Sequence, residues 1–148
     1  MESKPLKDDI TKILTSQQLG VLSTYGSEYP YSTIVGFTST DDLKYVVFAT
    51  IRNTRKYKNI KESANVSMLI DTRSKYIRDF SKAQAVTVLG RAEEAEDSER
   101  EKFADLHIQK HPYLKSFVQN PNCAIIKIEA HKYIMASKFQ EIKELDMQ

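Results

Sequence analysis

Phe48-Ala49-Thr50-Ile51-Arg52-Asn53-Thr54-Arg55-Lys56-Tyr57-Lys58-Asn59-Ile60-Lys61 is the stretch on which the rest of the chain depends. Tyr45 to Phe48, just before and into it, have the β-branched and aromatic density of a strand, whereas Tyr57, Ile60 and Ala64 recur at the spacing of one helical face. A strand therefore hands over to a helix inside this window, with Asn53 or Thr54 as the candidate N-cap. Five of the ten residues from 52 to 61 are cationic and none is acidic. A helix entrance leaves backbone N–H groups unpaired and carries partial positive charge. Arg, Lys and the hydroxyls of Thr50 and Thr54 at that point make a candidate anion site, for which phosphate is the natural ligand.

Working outward, the pattern predicts a mainly antiparallel β protein. Leu6, Ile10, Ile13 and Leu14 form an apolar stripe on a helix over residues 5–17, with Pro5 near its first turn. Strands are expected at 19–25 and 31–38, joined by the turn residues of 26–30, and at 43–50, where three in a row suggest a meander. After the basic helix, 66–71 and 83–95 read as the fourth and fifth strands, with Gly90 marking a bulge or a close backbone approach. Residues 72–82 fit either a loop or extensions of the flanking strands. Ser98 and Glu101 have the spacing of a capping box, so a helix is expected from there to about Lys110, stopped or kinked at Pro112 and followed by a short helix through Phe117. Residues 123–136 are the sixth strand, and 140–148 read as a charged, partly mobile end. Six strands with flanking helices suggest a closed or split antiparallel barrel in one domain.

Composition narrows the function. At 148 residues, 41% hydrophobic and 28% charged, the chain has the makeup of an ordinary globular domain. A net charge of +2 and scattered aromatics argue against a nucleic-acid surface, so the cations of 52–61 are a local concentration offset by the acids from Glu93 to Asp105. Cys123 is the sole cysteine and permits no internal disulfide. No apolar run approaches the roughly 18 to 20 residues that cross a bilayer, and the first residues lack the apolar core of a signal peptide, so a cytoplasmic location is expected.

Other candidate chemistry is thin. With four glycines in the chain, neither G-x-x-x-x-G-K nor G-x-G-x-x-G occurs, which sets aside phosphate-loop and dinucleotide folds. His107 and His111 have metal- or haem-ligand spacing, but Pro112 ends the helix there and no Glu sits between them as a zinc peptidase requires; a structural role is the stronger reading. Cys123 reads as a small buried apolar residue, and no metal site is expected. Glu93, Glu94, Glu96, Asp97 and Glu99 read as a solvated strand-to-helix junction. Tyr25, Tyr29 and Tyr31 fit a planar ligand and a packed hairpin equally well.

The order of these features resembles the FMN-binding split-barrel family of pyridoxamine phosphate oxidase. The likeness rests on Tyr31-Ser-Thr-Ile-Val35, Phe48-Ala-Thr50, Asn53-Thr-Arg-Lys-Tyr57 and Asn65-Val-Ser-Met-Leu-Ile-Asp71, continues through Ala85-Val-Thr-Val-Leu-Gly-Arg-Ala92, and covers most of residues 10–138. It implies a six-stranded split barrel, a homodimer with FMN at the subunit interface, and oxidoreductase chemistry on a small molecule. By that resemblance Arg55 and Lys56 hold the ribityl phosphate, with hydroxyls from Thr50, Thr54 and Ser32 or Thr33 beside it. Main-chain groups around Thr33, Ile34 and Val35 and around Ala49 and Thr50 meet the isoalloxazine edge, and Ser137, Lys138 and Phe139 approach from the other subunit. The oxidase has a basic residue about where Ser32 stands and Arg and His groups near its C-terminus. Here no Arg follows Arg100 and no His follows His131, so oxidation of pyridoxamine phosphate itself is not expected. Relatives on the same fold use a deazaflavin or bind haem, and His111-Pro112 after Gly90-Arg91-Ala92 is similar to the haem-utilisation branch, which makes His107, His111 and His131 its candidate ligands.

Overall fold

The computed structural model describes residues 3–137 and 141–148. Helix α1 (Ser3–Ser16) buries Leu6, Ile10, Ile13 and Leu14, the stripe that its spacing predicts. At roughly 1.5–3 kcal/mol per buried aliphatic side chain, that stripe holds the helix to the sheet. Strands β1 (Leu19–Tyr25) and β2 (Pro30–Gly36) form a hairpin in continuous register from Leu19 opposite Gly36 to Tyr25 opposite Pro30. A two-residue strand β3 (Thr38–Ser39) follows, then β4 (Tyr45–Ile51), α2 (Arg55–Glu62), β5 (Asn65–Asp71) and β6 (Ala85–Glu94). Helices α3 (Asp97–Lys110) and α4 (Lys115–Gln119), with a 3₁₀ turn at Pro112–Leu114 between them, lead to β7 (Cys123–Ser137) and β8 (Glu141–Asp146).

All pairings are antiparallel, in the order β2-β1-β5-β6-β7-β4-β3, with β8 also on β7. Although β2 and β4 lie far apart in that order, they approach each other in space, so the sheet curls into a split barrel. The long β7 makes this possible by pairing with β4 over its first half, β6 over most of its length and β8 over its end. Its register with β6 shifts at Leu89/Gly90, where a Cβ on Gly90 would lie 2.3 Å from the Glu129 carbonyl oxygen. Glycine is required there because the two backbones nearly touch.

Among the described residues the sheet has eight strands where the sequence pattern predicts six. The expected strand at 31–38 breaks at Phe37, whose ring turns fully into the core while its N–H donates to the Gln18 carbonyl, so Thr38–Ser39 pair separately with β4. Residues 141–146 are charged, as expected, yet they pair with β7 as an edge strand. Residues 72–82 do not extend the flanking strands; they form an exposed loop that contains 3₁₀ turns at Arg73–Tyr76 and Phe80–Lys82. The capping box does not form. Helix α3 starts at Asp97, which places Ser98 inside the first turn, where its side chain cannot cap.

The main core lies inside the curl, around Leu22, Phe37, Phe48, Met68, Val88, Ile126 and Tyr133. A smaller cluster of Val47, Ala95, Phe103, Val118 and Ile125 seats α3 and α4 on the other side of β4 and β7. The outer face of β1, β2, β5 and β6 also carries exposed apolar side chains: Leu19 is 55% exposed, Ile34 67%, and Leu69 and Leu89 37% each. No described helix is long and apolar enough to cross a membrane.

Candidate functional site

Thr54, in an extended conformation, is the N-cap of α2, and its hydroxyl accepts from the Tyr57 N–H at 3.4 Å. The Thr50 hydroxyl lies 2.9 Å from that of Thr54, and both are within bonding distance of the Ile51 carbonyl. Thr50 is 1% exposed, so its side chain braces the cap from inside. The first helical turn keeps the N–H groups of Arg55 and Lys56 as donors.

The five cations have separate fates. Arg52 donates to Glu94 at 2.6 Å and to the Pro121 carbonyl at 2.9 Å, and Tyr57 donates to the other Glu94 oxygen at 2.5 Å. Burial opposes the charge on Glu94, but Arg52 and Tyr57 outweigh it and hold the carboxyl below its usual range. Arg52 thus ties the start of α2 to the end of β6 and the turn before β7. Lys61 lies over the Tyr57 ring, 5.6 Å from its centroid, on the outer side of the helix. Lys58 is exposed and shares a hollow of about 390 Å³ with Arg55, Asn59, Tyr29 and Tyr31 at the hairpin tip.

Arg55 and Lys56 remain. Arg55 stacks over the Tyr31 ring at 5.2 Å from its centroid, a cation–π contact that orients the guanidinium without neutralising it. Lys56 is half-buried, and burial alone pulls its pKa below the ordinary lysine value. Among the described residues neither forms an ion pair. Two unneutralised cations, one of them desolvated, beside a capped helix entrance fit a phosphate group.

On β2, Ser32 and Ile34 face outward and Val35 inward, with Thr33 half-buried; the Ser32 hydroxyl lies 3.1 Å from that of Ser23. Ala49 is half-buried at the end of β4. Ser137 ends β7 beside Arg73 and Ala85, in a hollow that contains neither Arg55 nor Lys56; Lys138 and Phe139 lie outside the described residues. The tyrosines divide: Tyr31 meets Arg55, whereas Tyr25 and Tyr29 stay exposed at the hairpin end.

Two of the three histidines are committed to the interior. His107, 1% exposed, has Nδ1 2.8 Å from the Thr38 hydroxyl, and His111 Nε2 donates to the Phe37 carbonyl at 2.7 Å. Burial first, then the neighbouring His111 and Lys110, lower the His107 pKa to about 4. His131 instead lines an open cleft of about 640 Å³ with Lys132, Asp146, Asn65 and Tyr25. Cys123 is buried, as expected.

The family model described as "Pyridoxamine 5'-phosphate oxidase" matches residues 6–135. The chain belongs to the pyridoxamine 5'-phosphate oxidase family. Among solved structures, general stress protein 26 from Bacillus anthracis is 28% identical, with 95% of this chain and 98% of that one covered and a TM-score of 0.70. An FAD-binding protein from Mesorhizobium loti is 18% identical over 86% of this chain and 89% of its own, at a TM-score of 0.67. A haem-binding protein from Mycobacterium smegmatis is 16% identical at a TM-score of 0.85; the match covers 95% of this chain but 57% of that one. No curated protein matches. Proteins of this fold thus include one described as FAD-binding and one described as haem-binding, and the split-barrel architecture is what this chain has in common with them.

Proposed function

We propose that the protein is an FMN-binding flavoprotein, a homodimer that acts as an oxidoreductase on a small molecule. The observation that carries the proposal is the pair Arg55 and Lys56, two cations without acidic partners at the Thr54-capped start of α2. In this reading Arg55, steered by Tyr31, and Lys56 hold the flavin phosphate, while Thr50 and Thr54 fix the helix entrance rather than contact the ligand. Arg52 is spent on Glu94 and takes no part. Main chain along Thr33 to Val35, on the end strand β2 of the sheet, lines the flavin edge. The bound flavin supplies the redox chemistry, and the protein supplies binding, orientation and exclusion of water.

The apolar outer face supports the dimer, since Leu19, Ile34, Leu69 and Leu89 form a band that a second copy covers by two-fold symmetry. Ser137 lies apart from Arg55 within one chain, so its place at the cofactor requires that second copy. Oxidation of pyridoxamine phosphate is not proposed, because Ser32 stands where the oxidase has a basic residue.

The test is the visible spectrum of the purified protein with the mass of any ligand released on denaturation, followed by FMN titration of the apoprotein. A yellow protein releasing FMN, with about thirtyfold weaker binding in Arg55→Ala, is expected from the loss of about 2 kcal/mol in one charge-assisted contact. A red protein whose haem band disappears in His131→Ala would replace this reading with a haem module centred on the open cleft.

A further inference from the structure

Next to the phosphate grip, the hollow of about 390 Å³ at the hairpin tip has one wall from the β1–β2 turn and one from α2. Its volume is that of a small-ligand site. The hairpin wall is tightly turned: the Gly26 N–H donates to the Tyr29 carbonyl at 3.0 Å, and a Cβ on Gly26 would lie 2.3 Å from that oxygen. Tyr29, 77% exposed, offers a free ring to the hollow, and Tyr31 lines it beneath Arg55.

The helix wall carries an acceptor without a donor. Asn59 is 6% exposed, and its Nδ2 donates to the Thr24 hydroxyl at 3.0 Å, which fixes the amide. Its Oδ1 accepts from no described residue and is open to the hollow that Asn59 lines. An acceptor held in this way is matched by an N–H or O–H of a ligand. Arg55 and Lys58 line the same space with Glu28 and Glu62, two charges of each sign, and among the described residues no ion pair joins them. That balance disfavours a bare anion. It suits a ligand with an anionic group at one end and hydroxyl and amino donors at the other. Carboxylates accept from ribose hydroxyls, and an exposed tyrosine ring stacks on a base.

We infer that this hollow is a subsite for an adenosine 5′-phosphate group: base on Tyr29, exocyclic amine donating to Asn59 Oδ1, ribose hydroxyls donating to Glu28 or Glu62, and phosphate on Lys58 beside Arg55. Its relation to the cofactor rests on the flavoprotein reading. Strand β2 begins at Pro30 in the hollow, Arg55 stands over Tyr31, and the flavin lies along Thr33 to Val35, so the hollow is on the far side of the flavin phosphate from the ring. The group is then the AMP half of a dinucleotide flavin or the end of a separate adenine nucleotide bound beside FMN. That the hollow takes an adenosine phosphate does not rest on that reading.

The test is calorimetric titration of the apoprotein with AMP and with inosine 5′-monophosphate, in which an oxo group replaces the amine. AMP should bind saturably and about tenfold more tightly, the scale of one hydrogen bond to a fixed acceptor. Tyr29→Ala and Lys58→Met, both at exposed positions, should each weaken AMP by about five- to tenfold and leave FMN affinity and the melting temperature unchanged. FAD binding about tenfold more tightly than FMN, with the advantage lost in both variants, would identify the group as the flavin's own AMP half. AMP binding to FMN-loaded protein, with FAD no tighter than FMN, would identify a separate nucleotide. Absence of saturable AMP binding, equal affinity for the two nucleotides, or unchanged AMP affinity in both variants would each overturn the proposal. A failed FMN titration with AMP binding intact would sink only the flavoprotein reading, and FMN binding without AMP binding would sink only the adenosine subsite.

Discussion

Replacing Lys56 by methionine should move stability and cofactor affinity in opposite directions. In the apoprotein its ammonium is half-buried at the start of α2, with no carboxylate partner among the described residues and a pKa pulled down by burial alone. A desolvated, unpaired charge at the positive end of a helix dipole costs folding energy, and an isosteric thioether removes that cost while keeping the packing. Thermal and urea unfolding of the apo variant should therefore show stability equal to or above the wild type. FMN phosphate, by contrast, would lose one charge-assisted hydrogen bond of about 1.5–3 kcal/mol, which corresponds to roughly 10- to 150-fold weaker binding. Quenching of FMN fluorescence at fixed ionic strength measures this directly, and Lys58→Met, at an exposed position on the same helix, serves as the control with little effect. If Lys56→Met destabilised the apoprotein and left FMN affinity unchanged, Lys56 would be a structural residue and the phosphate grip would lose one of its two cations.

Three further outcomes follow from other parts of the molecule. His107 is held neutral in the folded state with a pKa of about 4 against 6.5 in the unfolded chain, so below pH 6.5 the unfolded state binds the extra proton. Stability should fall by about 3 kcal/mol as the pH drops from 6.5 to 4, and urea titrations of His107→Gln should show a flatter profile over that range. Glu94→Gln should cost about 1–2 kcal/mol in chemical denaturation, because Arg52 and Tyr57 lose a charged acceptor at a partly exposed site. Leu89→Arg, in the apolar band, should yield monomers on size-exclusion chromatography at micromolar concentration with the fold retained by circular dichroism; an unchanged dimer would move the interface elsewhere.

Residues 48–61 show what the sequence could and could not reveal. The strand-to-helix handover, the Thr54 cap and the apolar stripe through Ile60 depend on neighbours within a few positions, and local pattern reports them well. Which cations stay free is a long-range matter: Arg52 looks like Arg55 until the fold brings Glu94, from the far end of β6, within 2.6 Å. The inward placement of Thr50 follows from strand alternation, which sets it on the same side as Val46 and Phe48. The turns at 72–82 follow no apolar period, so their 3₁₀ geometry has no sequence signature. Edge strand β8 is equally silent, because five of its six residues are exposed and its pairing is dictated by the length of β7.

That length also sets a timetable for the chain as it leaves the ribosome. Strand β4 is complete early, but among the described residues, apart from the two of β3, its only sheet partner is the first half of β7, with Ile51 opposite Cys123 and Tyr45 opposite Glu129. Until that late segment emerges, Val46, Val47 and Phe48 present an apolar strand edge with nothing to pair against. Pairings this distant in sequence slow folding and expose intermediates to aggregation. Nascent chains arrested before Cys123 should therefore be the aggregation-prone form of this protein, and release of the last strands should convert them to the closed barrel.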